Sequence, residues 1–192
     1  MTMPAQGVLY VIACGSSSAT RIVEPFVIQA QAMGWEVCVI TTPMGRKFLN
    51  MPRLAELSSH HVRFEYKEPD EPDLLPPADA LVVYPATFRT MNNWAHGNSE
   101  TLAIGLLCEY TGRRAPIVAV PCLGKGSGLD TFPTFHKSIE TLRAYDITVL
   151  YELETYYHNE IPSHIVLEKL QQIILQKSKG EDTAHLYREE GG

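Results

Sequence analysis

The stretch Ala80-Leu-Val-Val-Tyr-Pro-Ala-Thr-Phe-Arg-Thr-Met-Asn-Asn-Trp-Ala-His-Gly-Asn-Ser-Glu100 decides the fold. Residues 80–84 are apolar almost throughout, which is the pattern of a strand buried on both faces of a parallel sheet. Pro85 has no N–H to donate to a sheet ladder, so the strand is predicted to end before it. Thr87 and Thr90 then place hydroxyl groups where the chain turns from strand to helix. In an open α/β sheet, ligands bind at this carboxyl edge of the strands.

Apolar runs and amphipathic helices alternate along the rest of the chain. Strands are predicted at 7–13, 35–40, 62–66, 80–84, 117–120 and 147–150, with helices between them and a last helix at 165–175. The pattern predicts a single α/β domain of Rossmann-like architecture. Its doubly wound parallel six-stranded sheet is expected to have the order 3-2-1-4-5-6, with the ligand at the switch between strands one and four. The domain is expected to span residues 1–176, and the polar residues 177–192 to form a frayed tail.

Composition and charge restrict the class of partner. The chain has 192 residues, 45% hydrophobic and 20% charged, as expected for one globular domain. A formal net charge of -6 argues against a nucleic-acid surface. No apolar run approaches the roughly 18 residues of a membrane span and no basic region precedes the first apolar run, so a cytoplasmic protein without a membrane partner is expected. The four cysteines, at 14, 38, 108 and 122, form no Cys-x-x-Cys pair, so no metal site is expected.

The loop Cys14-Gly-Ser-Ser-Ser-Ala19 has the composition of a phosphate cradle. Gly15, Ser16 and Ser17 follow the first strand and precede a helix, where free N–H groups and the positive end of the macrodipole attract a phosphate. The loop has one glycine and no lysine, so it is neither a Gly-x-Gly-x-x-Gly fingerprint nor a triphosphate-binding loop. The alternative is that Ser17 or Ser18 only caps the helix.

Three short motifs in the first stretch resemble one protein family. Pro85-Ala-Thr-Phe-Arg-Thr90, Ala95-His-Gly97 and Glu100-Thr-Leu102 are similar to the flavin loop of the homo-oligomeric flavin-containing cysteine decarboxylases. This family includes phosphopantothenoylcysteine decarboxylases and the peptidyl-cysteine decarboxylases of ribosomal peptide pathways. Its loop reads Pro-Ala-Ser-Ala-Asn-Thr, from which Phe88 and Arg89 depart. Taken without the family, the six residues fit a plain strand-to-helix turn with no ligand.

The resemblance extends over nearly the whole chain and implies a cofactor and an assembly. It implies FMN as cofactor and a homo-oligomer, either a trimer or a dodecamer of four trimers. Thr42 is implied as a phosphate or ribityl contact and Phe48 as a wall of the flavin site, although core packing is the favoured alternative for Phe48. The residues implied to bind FMN are Gly15, Ser16, Ser17, Thr42, Phe48, Pro85, Ala86, Thr87, Phe88, Arg89, Thr90 and Ser99.

Two groups on which the family's chemistry depends have no counterpart at the matching positions. The family carries a histidine before the fourth strand, but residues 71–74 contain none. His60 and His61 lie too early to align, and the alternative is that a loop rearrangement brings one of them to this position. The family's Pro-Ala-Met-Asn substrate clamp is replaced by Pro121-Cys-Leu-Gly-Lys125. Lys125 is therefore a candidate contact for a substrate carboxylate, and Cys122 a weaker candidate for a reactive thiol. The alternative is a flexible glycine-rich surface loop.

These observations leave three functions open. The favoured one is an FMN-dependent oxidative decarboxylase that acts on a C-terminal cysteine of a peptide, or on a small cysteine-containing acid. Residues 150–179 contain no cysteine that could reduce an enethiol product, which favours a peptide substrate within this family. One alternative is an FMN-binding flavoprotein without decarboxylase activity, serving as a carrier or regulatory subunit. The other is a flavin prenyltransferase, for which no basic residues are arranged around a second phosphate.

Overall fold

A computed structural model describes residues 6–72 and 75–189 and contains one parallel sheet. Its strands are β1 (Gly7–Ala13), β2 (Trp35–Thr41), β3 (Ala80–Ala86), β4 (Ile117–Pro121) and β5 (Thr148–Val149). They lie in the order β2-β1-β3-β4-β5. The α/β class and the parallel sheet are confirmed, but the six-stranded sheet is wrong because the described residues form five strands.

The missing strand is the one predicted at 62–66. Only Arg63 pairs with the sheet, through a single parallel bridge to Ile40 at the outer edge of β2. The chain then leaves the edge, since the Phe64 ring packs under the Arg46 guanidinium at 3.6 Å and Tyr66 reaches the start of a distant helix. The bridge occupies the outer position that the predicted order assigned to this strand. The segment alternates apolar and polar residues as predicted, but the Phe64 and Tyr66 side chains contact residues outside the sheet.

Six α-helices cover both faces of the sheet in the described part of the chain. The alternation of side chains along β1 sorts them, because Tyr10 and Ile12 point into one core layer and Leu9 and Val11 into the other. One layer is closed by α3, α4 and α5, and the other by α1, α2 and α6. The helices are α1 (Ala19–Ala32), α2 (Met51–Ser58), α3 (Phe88–Ala95), α4 (Leu102–Gly112), α5 (Pro133–Ala144) and α6 (Ser163–Glu189).

Strand β3 continues through Pro85 to Ala86, against the prediction that it ends at residue 84. Pro85 cannot donate, but its carbonyl accepts the Cys14 N–H at 3.0 Å, and the Ala86 carbonyl accepts the Cys122 N–H at 2.9 Å. The ladder with β4 shifts register between Val83 and Ala86 to accommodate this. The two carbonyls therefore hold the ends of β1 and β4 against β3 at the carboxyl edge.

Helix α6 runs past residue 176, where the sequence places the end of the folded domain. Lys177 lies on this helix and binds the Asp146 carboxylate at 2.9 Å and the Arg114 carbonyl at 3.0 Å. The domain boundary at 176 stays a prediction, although the helical backbone does not mark it. No helix in the described ranges has the length and apolar character that a membrane span requires.

Candidate functional site

A cleft of about 370 Å³ lies at the carboxyl edge, beside the ends of β1, β2 and β3. Gly15, Thr42, Thr87, Arg89 and Thr90, all predicted from the sequence, lie together in its wall. The other lining residues are Pro43, Met44, Asn93, Glu100, Thr101 and Ile104. The switch point between β1 and β3 is thus the place where the predicted side chains converge, as the doubly wound topology requires.

Two glycines let the loops after β1 and β2 approach each other. A Cβ on Gly15 would lie 2.9 Å from Cγ of Met44. A Cβ on Gly45 would lie 2.8 Å from the Ala13 carbonyl oxygen and would collide with the Thr41 hydroxyl. The Thr42 hydroxyl accepts the Gly45 N–H at 3.1 Å, which fixes the second loop. Of the two glycines, Gly15 lines the cleft, so this part of its wall is backbone.

The serines after Gly15 turn mostly away from the cleft. Ser16 and Ser18 share a hydrogen bond between their hydroxyls at 2.9 Å, and Ser17 is exposed. Ser18 precedes α1 without making a side-chain cap bond, so the capping alternative is not what the geometry shows. Of this loop, Gly15 lines the cleft, and neither Ser16 nor Ser17 does.

Thr87 and Thr90 form a chain of hydroxyl groups at the start of α3. The Thr90 hydroxyl donates to the Cys14 sulfur at 3.2 Å and lies 2.9 Å from the Thr87 hydroxyl, which therefore donates to Thr90. Thr87 also accepts the Thr90 N–H at 3.3 Å and so caps the helix. Burial raises the pKa of the Cys14 thiol to about 11, so it stays protonated at neutral pH. The loop offers the cleft hydroxyl lone pairs and backbone N–H groups, while the hydroxyl protons point inward.

Helix α4 begins at the same cleft. The Thr101 hydroxyl accepts the Ile104 N–H at 3.4 Å and caps the helix, while the Leu102 and Ala103 N–H groups before it have no helical partner. At the start of α3 the Thr90 N–H is bound by Thr87, and the Phe88 and Arg89 N–H groups have no helical partner. Two helix N-termini with their partial positive charges therefore open into one cleft, which favours an anionic ligand.

Other predicted cofactor residues lie outside the cleft. Phe48 packs beside α1 and α2 at a separate small cavity and against the core, as its favoured alternative predicted. Ser99 is exposed in the turn after α3. Pro85 and Ala86 are buried in β3, and the Phe88 ring stacks on Phe135 with centroids 5.7 Å apart. Phe48, Pro85, Ala86 and Phe88 therefore belong to the core or pack against it, and Ser99 lies on the surface.

The glycine-rich loop after β4 directs two of its backbone N–H groups to a carboxylate of the same loop, that of Asp130. The Asp130 carboxylate accepts the Gly126 N–H at 2.7 Å and the Gly128 N–H at 3.0 Å, and it lies 3.4 Å from the Ser127 hydroxyl. The bond from Gly126 is the main reason that the pKa of Asp130 lies below its usual value. The loop is therefore ordered by its own carboxylate, in contrast to the flexible loop of the alternative reading.

Neither candidate catalytic residue is free in this arrangement. Lys125 binds both oxygens of Glu154, and both side chains are exposed. Burial raises the pKa of the Cys122 thiol to about 12, so at neutral pH it is a protonated thiol and a poor nucleophile. The Cys122 sulfur instead points at the Val120 and Asn159 carbonyls. The carboxylate contact of Lys125 and the reactive thiol of Cys122 therefore stay predictions.

The early histidines lie at the opposite edge of the sheet. The His60 ring nitrogen is 2.9 Å from the Glu36 carboxylate, and Glu36 pairs with Val8 near the start of β1. His61 lines the same shallow depression as His60. The amino ends of the strands, where these residues lie, are a strand length away from the cleft. Neither histidine replaces the one that the family carries.

Asn159 is a structural residue that the sequence analysis missed. It is fully buried, and its side-chain amide donates to the Pro121 and Leu150 carbonyls at 2.8 and 2.9 Å. Its side-chain oxygen accepts the Glu152 N–H at 2.6 Å. Asn159 thereby ties the loop after β5 to the ends of β4 and β5. No local sequence pattern predicts this role for Asn159, because partners such as Pro121 lie far from it in the sequence.

The cap at Thr87 gives a testable expectation for stability. Thr87→Val removes the acceptor for the Thr90 N–H, so we expect the free energy of unfolding to fall by about 1 kcal/mol. Chemical denaturation of the protein measures this change. Thr87→Ser keeps the hydroxyl and should stay within a few tenths of the parent value. A loss in Thr87→Ser with no loss in Thr87→Val would show that the methyl group, and not the cap, stabilises the turn.

Comparisons with known proteins agree with the fold. A family model described as Flavoprotein matches residues 3–176. The structure of MrsD from a Bacillus species has a TM-score of 0.70 at 17% identity, over 86% of this chain and 95% of that one. TvaF from thioviridamide biosynthesis, titled an FMN-dependent cysteine decarboxylase, has a TM-score of 0.68 at 17% identity, over 87% and 99%. The epidermin biosynthesis protein EpiD from Staphylococcus aureus has a TM-score of 0.58 at 23% identity, over 77% and 88%.

A search of curated proteins finds no match. At these identities the solved structures establish a shared fold, and the resemblance seen in the sequence is confirmed at that level. The family model carries the assignment further, because it matches the chain from before β1 to within α6. The protein therefore belongs to the flavoprotein family.

Proposed function

We propose that the protein binds FMN in the cleft at the ends of β1, β2 and β3, and that it uses FMN to decarboxylate a cysteine at the C terminus of a peptide oxidatively. The observation that carries the proposal is the convergence of two helix N-termini on a cleft whose floor is Gly15 and Thr42. Its volume of about 370 Å³ lies in the range of small-ligand and cofactor sites. Two proteins that share this fold are named FMN-dependent cysteine decarboxylases, which supports both the cofactor and the reaction.

The lining residues fit the three parts of FMN. Free N–H groups at the starts of α3 and α4 suit the phosphate, since they donate without losing a helical partner. Thr42, Asn93 and Thr101 supply polar side chains for the ribityl hydroxyls. Pro43, Met44 and Ile104 supply apolar surface for the ring system. No charged side chain needs to be buried for this arrangement.

When bound, FMN supplies the two-electron oxidation that the cysteine must undergo before it loses carbon dioxide. The protein would bind and orient the cofactor through the residues that line the cleft. Cys14 and Cys122 stay protonated at neutral pH, because burial raises the pKa of each. The absence of cysteine from residues 150–179 supports a peptide product that keeps its enethiol group. We further propose a cytoplasmic homo-oligomer, a trimer or a dodecamer, as the resemblance implies.

Two measurements test the proposal in sequence. Titration of FMN into the purified protein should quench flavin fluorescence with a saturable curve. Incubation of the loaded protein with a cysteine-ended peptide should give a product lighter by about 46 Da, the mass of carbon dioxide and two hydrogens. The same peptide ending in serine is the control and should stay unchanged. Failure to bind FMN would refute the proposal at its first step.

A second candidate is an FMN-binding protein without decarboxylase activity. It is favoured by the position of His60 at the opposite edge and by the commitment of Lys125 to Glu154. Saturable FMN binding with no mass change in any cysteine-ended peptide would support this function over the first.

A further inference from the structure

The cleft contains one cation and one anion among the described residues that line it. Arg89 is the second residue of α3, and Glu100 lies just before the Thr101 cap of α4. Arg89 stands where the resembled loop has asparagine, so the positive charge is a property of this chain. The two side chains face each other across the mouth of the cleft.

Arg89 and Glu100 hold each other loosely. The shortest distance between the guanidinium and the carboxylate is 3.8 Å, and the two side chains are 81% and 70% exposed. At this distance the pair is an ion pair without a hydrogen bond, and water screens it on both sides. An arginine in this state gives up little interaction energy when its side chain turns from the carboxylate to a partner that it can hydrogen-bond. A phosphate is such a partner, because its oxygens accept two parallel N–H bonds from one guanidinium.

Glu100 is placed to oppose the same ligand. Its carboxylate lies at the N-terminal end of α4, where it interacts favourably with the helix macrodipole. A phosphate at the free N–H groups would meet both the attraction of Arg89 and the repulsion of Glu100. The two charges therefore act on a phosphate in opposite directions. Removal of Arg89 should weaken phosphate binding, and removal of Glu100 should strengthen it.

We propose that Arg89 binds the phosphate group of the flavin and that Glu100 competes for Arg89, so that this pair sets the preference for FMN over riboflavin. The inference rests on the proposed FMN site and adds to it the residue that discriminates between a phosphorylated and an unphosphorylated ligand. In the empty cleft Arg89 faces Glu100, and in the loaded cleft it faces the phosphate.

The test compares FMN and riboflavin binding by fluorescence titration at low and moderate salt. Arg89→Gln should weaken FMN binding about ten- to a hundredfold, the range for loss of a charge-assisted hydrogen bond, and should leave riboflavin binding within about twofold. Glu100→Gln should strengthen FMN binding about two- to fivefold and also leave riboflavin unchanged. Added salt should weaken FMN binding to the parent protein more than to Arg89→Gln. Arg89→Lys should fall between the parent and Arg89→Gln, since lysine keeps the charge but not the fork.

Arg113→Gln is the matched control. Arg113 pairs with Glu109 on the exposed surface at the far end of α4, so its loss removes a similar ion pair away from the cleft. It should leave both affinities unchanged. If the parent protein binds FMN but Arg89→Gln binds it equally well, or if FMN and riboflavin bind alike, the inference is wrong while the FMN site stands. If the parent binds neither flavin, the proposed function itself fails.

Discussion

Asn93→Trp is expected to weaken FMN binding by at least about a hundredfold, because the indole ring would fill part of the space that the flavin needs. Asn93 lies on α3, is half-buried and lines the cleft. Its backbone carbonyl accepts the Asn98 N–H, and this bond survives the substitution. The stability of the protein should therefore change by no more than about 1 kcal/mol. Fluorescence titration with FMN, together with thermal denaturation, separates blocked binding from unfolding.

Asn98→Trp is the control for this variant. Asn98 is exposed in the turn after α3 and does not line the cleft, so the same ring placed there should leave FMN affinity unchanged. If Asn93→Trp bound FMN as tightly as the parent protein, FMN would not bind in this cleft. The larger cleft at the opposite ends of α3, α4 and α5 would then be the next place to look.

Asn159→Ala is expected to lower the free energy of unfolding by about 3–5 kcal/mol. The substitution leaves two carbonyls and one N–H at the ends of β4 and β5 without their partners, one of them buried and the others part-buried. Asn159 also has a φ of 57°, a left-handed conformation that asparagine tolerates better than alanine. Urea denaturation followed by circular dichroism measures the loss.

Two further variants divide this loss into its causes. Asn159→Gly relieves the left-handed backbone but still removes all three side-chain bonds, so it should recover only a minor part of the stability. Asn50→Ala removes an exposed cap at the start of α2 and should cost about 1 kcal/mol. If Asn159→Ala proved no more harmful than Asn50→Ala, the network around Asn159 would not hold the two loops together.

The sheet was predictable from sequence because its inner strands are continuous apolar runs. Residues 7–13, 80–84 and 117–120 have no other stable place than between two layers of helices. The strand predicted at 62–66 was wrong because alternating apolar and polar residues occur in any half-buried extended chain. The Phe64 ring contacts the Arg46 guanidinium and not the core. The predicted end of the strand before Pro85 was wrong for a different reason. The lack of an N–H ends donation to the ladder, but it does not prevent the carbonyl from accepting a bond.

The site was predictable where it is made of loop residues that directly follow strands. Gly15, Thr42 and Thr87 reach the cleft because parallel strands deliver their following residues to one edge. Thr101 was missed as a lining residue, although a threonine before an apolar run is a helix-cap signal that places it at a helix start. Glu154 could not be foreseen as the partner of Lys125, since ion pairs between separate loops leave no local pattern.

The bond network of Asp130 makes the conformation of the loop after β4 depend on three residues at once. Gly126 and Gly128 have φ values of 77° and 81°, which other residues rarely adopt, and both N–H groups turn toward one carboxylate. A lineage that replaced Asp130 would lose the reason to keep either glycine, and one that replaced a glycine would strand the carboxylate. Drift should therefore change these three positions together or not at all.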